Sequence, residues 1–338
     1  MAEKEKRFQN SIHISGYLKE NNLESVSTEK SGQVIRGSLL IATDNANSYK
    51  VQFYTPALTK SGEDSAEYES LSRLLDDDIV SIASYIKNNP SATFEEASKH
   101  ATKVWAQARF EEFASKVGER SRSMILLKGF KAGEKIETEA SPFSPRAEFT
   151  VDLFIEDIKP ETVTEGETEK ETGRYVINGV LPMWDESVQC IDFIAPTEKG
   201  IAGYMAANFS KNDTLTIKGE LVSMVQRVLK EGTENQDEFF GEAPQPQYET
   251  LFTRERIITG LSKKPIKQGE QGCISIKSVQ EGMAKRETKM IENGKRMKSN
   301  ENNESSTPKK EASAAPASSK AFAADLDFYL CLKQQIKI

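Results

Sequence analysis

One stretch of this sequence is written twice. Val34, Ile35, Arg36 and Gly37, followed by Val51 to Pro56, return as Val176, Ile177, Asn178 and Gly179, followed by Ile191 to Pro196. Each copy reads as a hairpin that ends at a proline, and each is followed by an apolar-polar strand closing on Lys-Gly, at Lys128-Gly129 and at Lys218-Gly219. A repeat of this length is the sequence sign of a duplicated structural unit. A chain of 338 residues is also too long for one small core, which stops growing near ~100 to 200 residues. Two similar β-units in tandem are therefore expected.

In the first unit Ile12, Ile14 and Leu18 alternate with His13, Ser15 and Tyr17, the period of a half-buried strand, and Gly16 marks a bend or close backbone approach. Val34 to Ile41 and Tyr49 to Thr55 form a hairpin around the turn residues Asp44 to Ser48. From about Ala66 to Val117 the spacing turns helical, with a break at Asn88 to Pro90 and a capping-box restart at Thr93 and Glu96. Trp105, Phe110 and Phe113 then read as the packing stripe of a helix. Met124 to Gly129 is a fourth strand. Phe149 to Ile158 is a long strand placed to close the first unit and open the second.

The second unit continues through Tyr175 to Met183, Ser187 to Ile194, a short helix over Ile201 to Asn208, Thr214 to Val222 and Thr250 to Thr259. Beyond Lys263 the chain is rich in Lys, then in Asn, Ser, Ala and Pro, with too few large apolar residues for a core. The expected organisation is a first barrel over 1–147 with a helical insert at about 66–117, a second barrel over 148–260, and a disordered basic tail over 261–338.

Charge and composition narrow the function classes. Lys and Arg set against Asp and Glu leave −2 over residues 1–150, −11 over 151–260 and +6 over 261–338. A polyanion would thus meet the first unit or the tail, since phosphate binding follows local charge. His13 and His100 are the only histidines, and Cys190, Cys273 and Cys331 have no metal-ligand spacing. No Walker loop, nucleophile elbow or zinc-protease motif is present. A non-enzymatic protein without metal or cofactor is expected. With no apolar run near ~18 residues and no apolar segment at the start, a cytoplasmic location follows.

Strand, hairpin, helix, strand, strand is the order of the OB-fold, a Greek-key barrel that binds oligonucleotides. The segment Asn10 to Leu18 also resembles the opening strand, Asn-x-Val-x-Leu-x-Gly-x-Leu, of bacterial and phage single-stranded-DNA-binding proteins. That likeness covers residues 8–160 and, more weakly, 148–260. It implies a mainly β fold of two tandem OB barrels and a role in DNA replication, recombination or repair, in a phage or mobile element. It further implies a tail whose acidic-aromatic tip, here Asp325, Asp327 and Phe328, recruits replication or recombination proteins. Tyr329 to Ile338 follow Phe328, where the family's pattern ends on the aromatic.

On the expected outer side of strands one to three stand His13, Tyr17, Arg36, Lys50, Gln52 and Tyr54, cations mixed with rings as in single-strand binders. Each aromatic either stacks on a base or covers the barrel flank. In the second unit Asn178 replaces Arg36 and Ile194 replaces Tyr54, so the matching face loses charge and ring. Trp184, beside Asp185 and Glu186, either stacks on a base or packs beneath its loop, and the acidic neighbours favour packing or a protein contact. Lys285 and Arg286 belong to a basic tail that either holds phosphates or keeps the linker soluble. The alternative to DNA binding is a protein-interaction scaffold of tandem barrels, which the acidic second unit would suit.

Overall fold

A computed structural model describes residues 8–29, 31–117, 120–137, 142–165, 168–229 and 248–304. Strands β1 (Asn10–Thr28), β2 (Gly32–Ala42), β3 (Ser48–Pro56), β4 (Lys103–Val117) and β5 (Arg120–Glu134) hydrogen-bond in the order β1-β2-β3-β5-β4 and back to β1. β3 and β5 run parallel and the other neighbours antiparallel, which closes a five-stranded barrel. β6 (Arg146–Glu165), β7 (Thr168–Pro182), β8 (Val188–Ala195), β9 (Thr214–Leu229) and β10 (Tyr248–Leu261) repeat the circuit as β6-β7-β8-β10-β9-β6, again with the third and fifth strands parallel. This is the OB-fold, present twice, and the protein is mainly β.

Between the third and fourth strands the first barrel carries α1 (Ala66–Ser72), α2 (Ile82–Asn88) and α3 (Phe94–His100), where the second has only α4 (Ile201–Asn208). Side-chain caps set the starts of α1, α2 and α3. Ser65, Ser81 and Thr93 accept from the amides of Tyr68, Ser84 and Glu96. Leu71 and Leu74 plug the barrel end, while Ile82, Ala97 and Ala101 pack on Ala42.

Four expectations change. The helical segment ends at His100, and Lys103–Val117 is strand β4. Val104, Ala106, Ala108 and Phe110 point into the barrel, whereas Trp105, Gln107 and Arg109 alternate outward. The small inward residues suit the strand because Ala106 and Ala108 face Ala132 and Gly129 on β5, leaving room for Phe53. Second, β4 and β5 close the first barrel without β6, which instead opens the second barrel and adds to β1 along Asn10↔Val151 to Ser15↔Arg146. Third, the two Lys-Gly strands are not equivalent, since Gly129 lies in a fifth strand and Gly219 in a fourth. A Cβ at Gly129 would overlap the Phe53 ring and one at Gly219 the Phe149 ring, so each glycine serves a different phenylalanine.

Fourth, part of the expected tail is helical: α5 spans Ile276–Glu304. The chain divides into a unit of residues 1–294 and a unit of residues 295–338; of the latter only 295–304, the end of α5, are described. Within the first unit, Val279 and Met283 join Phe154, Val180, Val188 and Cys190 in an apolar cluster. A Cβ at Gly282 would come within 3.2 Å of the Glu186 carbonyl and closer still to Val188, so the helix backbone lies directly on the β8 edge of the turn. Arg286 pairs with Glu112 of β4 through two bonds of 2.6 Å, Lys285 with Glu186 and Lys289 with Asp185.

The Glu112 side chain is only 4% exposed, so removing Arg286 strands a buried carboxylate, a change that costs about 3 kcal/mol or more. Arg286→Ala should therefore loosen α5 first, seen as faster amide exchange over 276–292. Acid should do the same. Burial raises the Asp185 carboxyl, but hydrogen bonds from Lys289 and Ser187 outweigh it, and Lys285 holds Glu186 below the usual range. The stabilisation is then present above the ordinary carboxylate pKa and is lost as pH falls through the depressed values of the folded state.

The barrels share a core. Phe110 of β4 makes edge contacts with Phe149 and Phe193 of the second barrel, at 5.8 and 6.0 Å between ring centres. Beyond the last β1–β4 pair, Ile12↔Ala108, the Asn10 side chain continues the ladder, bonding both the amide and carbonyl of Phe110 at 3.0 Å. Gln189, also buried, bridges the Phe110 carbonyl and the Glu112 amide. At the other side Tyr49 donates to the Leu221 carbonyl at 2.6 Å.

Candidate nucleic-acid interface

The outer face of the first barrel gathers cations and rings on four adjacent strands. On β3, Lys50, Gln52 and Tyr54 are exposed while Tyr49, Val51, Phe53 and Thr55 are buried. The register sets Arg36 beside Tyr54, Ser38 beside Gln52 and Leu40 beside Lys50, so these expected residues of β2 and β3 do share one surface. Tyr54 is 51% exposed, available to a base without repacking the core.

The parallel pairing Gln52↔Lys128 and the antiparallel pairing Arg109↔Lys128 extend the face across β5 and β4. Phe130, the extra residue at the β-bulge opposite Gln107 and Ala108, is 43% exposed. Further along, Trp105 lies over Gly133 with the Lys131 ammonium 5.9 Å from its ring centre. Arg36, Lys50, Arg109, Lys128 and Lys131 stand on this surface with Glu20, Glu24 and Glu111 among them. Arg36 bonds Glu24 at 2.6 Å, and Glu111 is shared by Arg109 and Lys128. Such exposed pairs contribute only ~0 to 1 kcal/mol and exchange readily for a phosphate.

Reading the sequence missed Trp105, Arg109, Lys128, Phe130 and Lys131. The first two were hidden in an expected helix, though the strict alternation of Val104, Ala106, Ala108 and Phe110 was a signal for strand. Two expected residues do not join the face. Tyr17 packs against the insert beside Ile82, Ala97 and Ala101, with its ring edge-on to Phe143 at 5.1 Å. His13 sits in the seam between β4 and β6, opposite Gln107 and Glu148. Burial, followed by the Arg146 guanidinium, holds it below the usual histidine range, so it offers no cation near neutral pH.

In the second barrel part of the matching surface is covered. Val180, Val188 and Cys190 replace the polar outer positions and lie under α5, and burial pushes the Cys190 thiol up to about 11. Asn178 bonds Asp192 at 2.6 Å. Lys285 and Arg286, which the sequence offered either to phosphates or to a soluble linker, are used within the chain on Glu186 and Glu112. Among the described residues no group of three metal-ligating side chains converges, and no helix is long and apolar enough to cross a membrane. Asp325, Asp327 and Phe328 lie outside the described residues.

No curated protein sequence matches the chain. Among solved structures it is similar to the wild-type single-stranded DNA binding protein from Thermus aquaticus, at 13% identity and a TM-score of 0.42, covering 79% of this chain and 98% of that one. A deletion mutant of the same protein gives 12% identity and a TM-score of 0.43 over the same shares of the two chains. The YorF family model matches residues 9–296, which include both barrels and the docked part of α5, and the chain therefore belongs to the YorF family.

Proposed function

We propose that this chain is a non-enzymatic single-stranded-DNA-binding protein acting in replication, recombination or repair, in a phage or mobile element. The observation that carries the reading is the outer face of the first barrel, where Arg36, Lys50 and Lys128 flank the exposed rings Tyr54 and Phe130. Unpaired bases stack on such rings, and the cations follow the backbone. Duplex DNA offers no free base face and binds this surface far less well. The second barrel, partly covered by α5, serves as a spacer and brace. The segment Asp325 to Phe328 is a peptide for partner proteins.

Fluorescent oligothymidine, duplex DNA and RNA titrated in parallel test the reading, with tight binding of the oligothymidine alone as the expected result. Arg36→Ala combined with Lys50→Ala should flatten the slope of log K against log salt by about 0.7 for each phosphate no longer neutralised. Absence of any single-strand preference, or an unchanged slope in the folded variant, rejects it. A protein-interaction scaffold would then be favoured, for which Val225 and Phe252, paired across β9 and β10 and each about half exposed, supply an apolar contact.

A further inference from the structure

We propose that Trp184, on the turn between β7 and β8, is a second base-stacking contact, a reading that rests on the single-strand binding proposed above. Its side chain is 77% exposed, so it does not pack beneath the loop, as its sequence neighbours suggested. The turn that carries it is tightly bonded. The Met183 amide donates to the Ser187 carbonyl at 2.8 Å, the Glu186 amide to the Met183 carbonyl at 3.1 Å, and the Ser187 hydroxyl to Asp185 at 2.6 Å. α5 backs it through Gly282, packed on Val188 and the Glu186 carbonyl. A ring presented on so braced a turn loses little conformational freedom when a base stacks on it.

The acidic neighbours are the sequence argument against a nucleic acid here, and tertiary structure removes it. Asp185 is paired with Lys289 and Glu186 with Lys285, so the tip that reads as −2 in sequence is locally neutral in the fold. Lys289 also donates to the Ser187 hydroxyl at 2.9 Å. An isolated indole rimmed by polar groups suits one flat base, whereas a protein partner would need an apolar patch around it. Two lysines balance two carboxylates, which leaves no net positive charge at the tip, and the contact works by stacking. This separates it from the first barrel, where rings and cations act together.

Trp105 and Trp184 are the only tryptophans, so Trp105→Phe leaves Trp184 as the sole indole emitter. Phenylalanine keeps a stacking ring at 105, and that variant, its own affinity read from the label anisotropy, is carried to saturation with a long labelled oligothymidine while indole emission is followed. The expected result is quenching of Trp184 in step with the anisotropy rise, with its acrylamide accessibility reduced at saturation. In the otherwise native chain, Trp184→Ala should weaken long oligothymidine about tenfold without changing the salt slope, and Trp184→Phe should restore most of the loss. Anisotropy that rises while Trp184 emission and accessibility stay constant overturns the contact and leaves the single-strand reading standing. Native affinity in Trp184→Ala overturns it as well. No anisotropy rise even for the native chain overturns both readings.

Discussion

Alanine in place of Phe110 is expected to destabilise the protein by about 3 to 5 kcal/mol, the range for deleting a fully buried aromatic ring. Phe110 is completely buried, touches Phe149 and Phe193, and has the Arg256 guanidinium 5.6 Å over its ring. Its loss would leave a cavity at the point where both barrels meet, and the closed circuits on either side resist collapse into it. The backbone around it would keep its partners, because Asn10 and Gln189 bond the main chain of residue 110 and not the ring. Urea denaturation of Phe110→Ala should therefore show a lower midpoint with a native-like folded baseline. A loss below about 1 kcal/mol would mean that the barrels do not depend on this shared core.

Tyr54→Ala combined with Trp105→Ala is expected to weaken oligothymidine binding by about 1 to 3 kcal/mol per ring while leaving the salt slope as it is. Both rings sit on the outer face, where their removal creates no cavity in the core, so affinity should fall without loss of fold. Neither substitution removes a cation, which is why salt dependence is the control. Trp105 contributes less if the Lys131 ammonium above it already fills its π-face, and single substitutions resolve the two shares. Native affinity in the double variant, with circular dichroism unchanged, would place the strand elsewhere on the protein.

Of this site, the part on β2 and β3 was legible from residue alternation. A strand half-buried on one side must expose every second residue, and that rule alone brings Arg36, Gln52 and Tyr54 to one surface. Tyr17 obeys the same alternation yet is covered, because the insert folds back over its stretch of β1, a long-range fact with no local signature. The β4 residues were lost to a different ambiguity. Alanine at 106 and 108 is a good helix former, and with Phe110 and Phe113 nearby the helical reading competes with the period of two. Only the facing Ala132 and Gly129 explain why small residues are wanted there.

The same division runs through the whole chain. Sequence by itself determined that two β-units follow one another, that the first carries the larger insert, and that cations and rings collect on the first unit's outer strands. These are local matters, set by periodicity, turn chemistry and composition. Tertiary structure alone decided that β4 and β5 close the first barrel without β6, that β1 is bonded on both edges, and that the basic segment after residue 261 contains a helix seated on the second barrel. It also decided the charge of the Trp184 turn, since Lys285 and Lys289 lie about a hundred residues from the carboxylates they neutralise. Pairing of that kind depends on which surfaces meet after folding, and the net charge of a sequence segment carries no record of it.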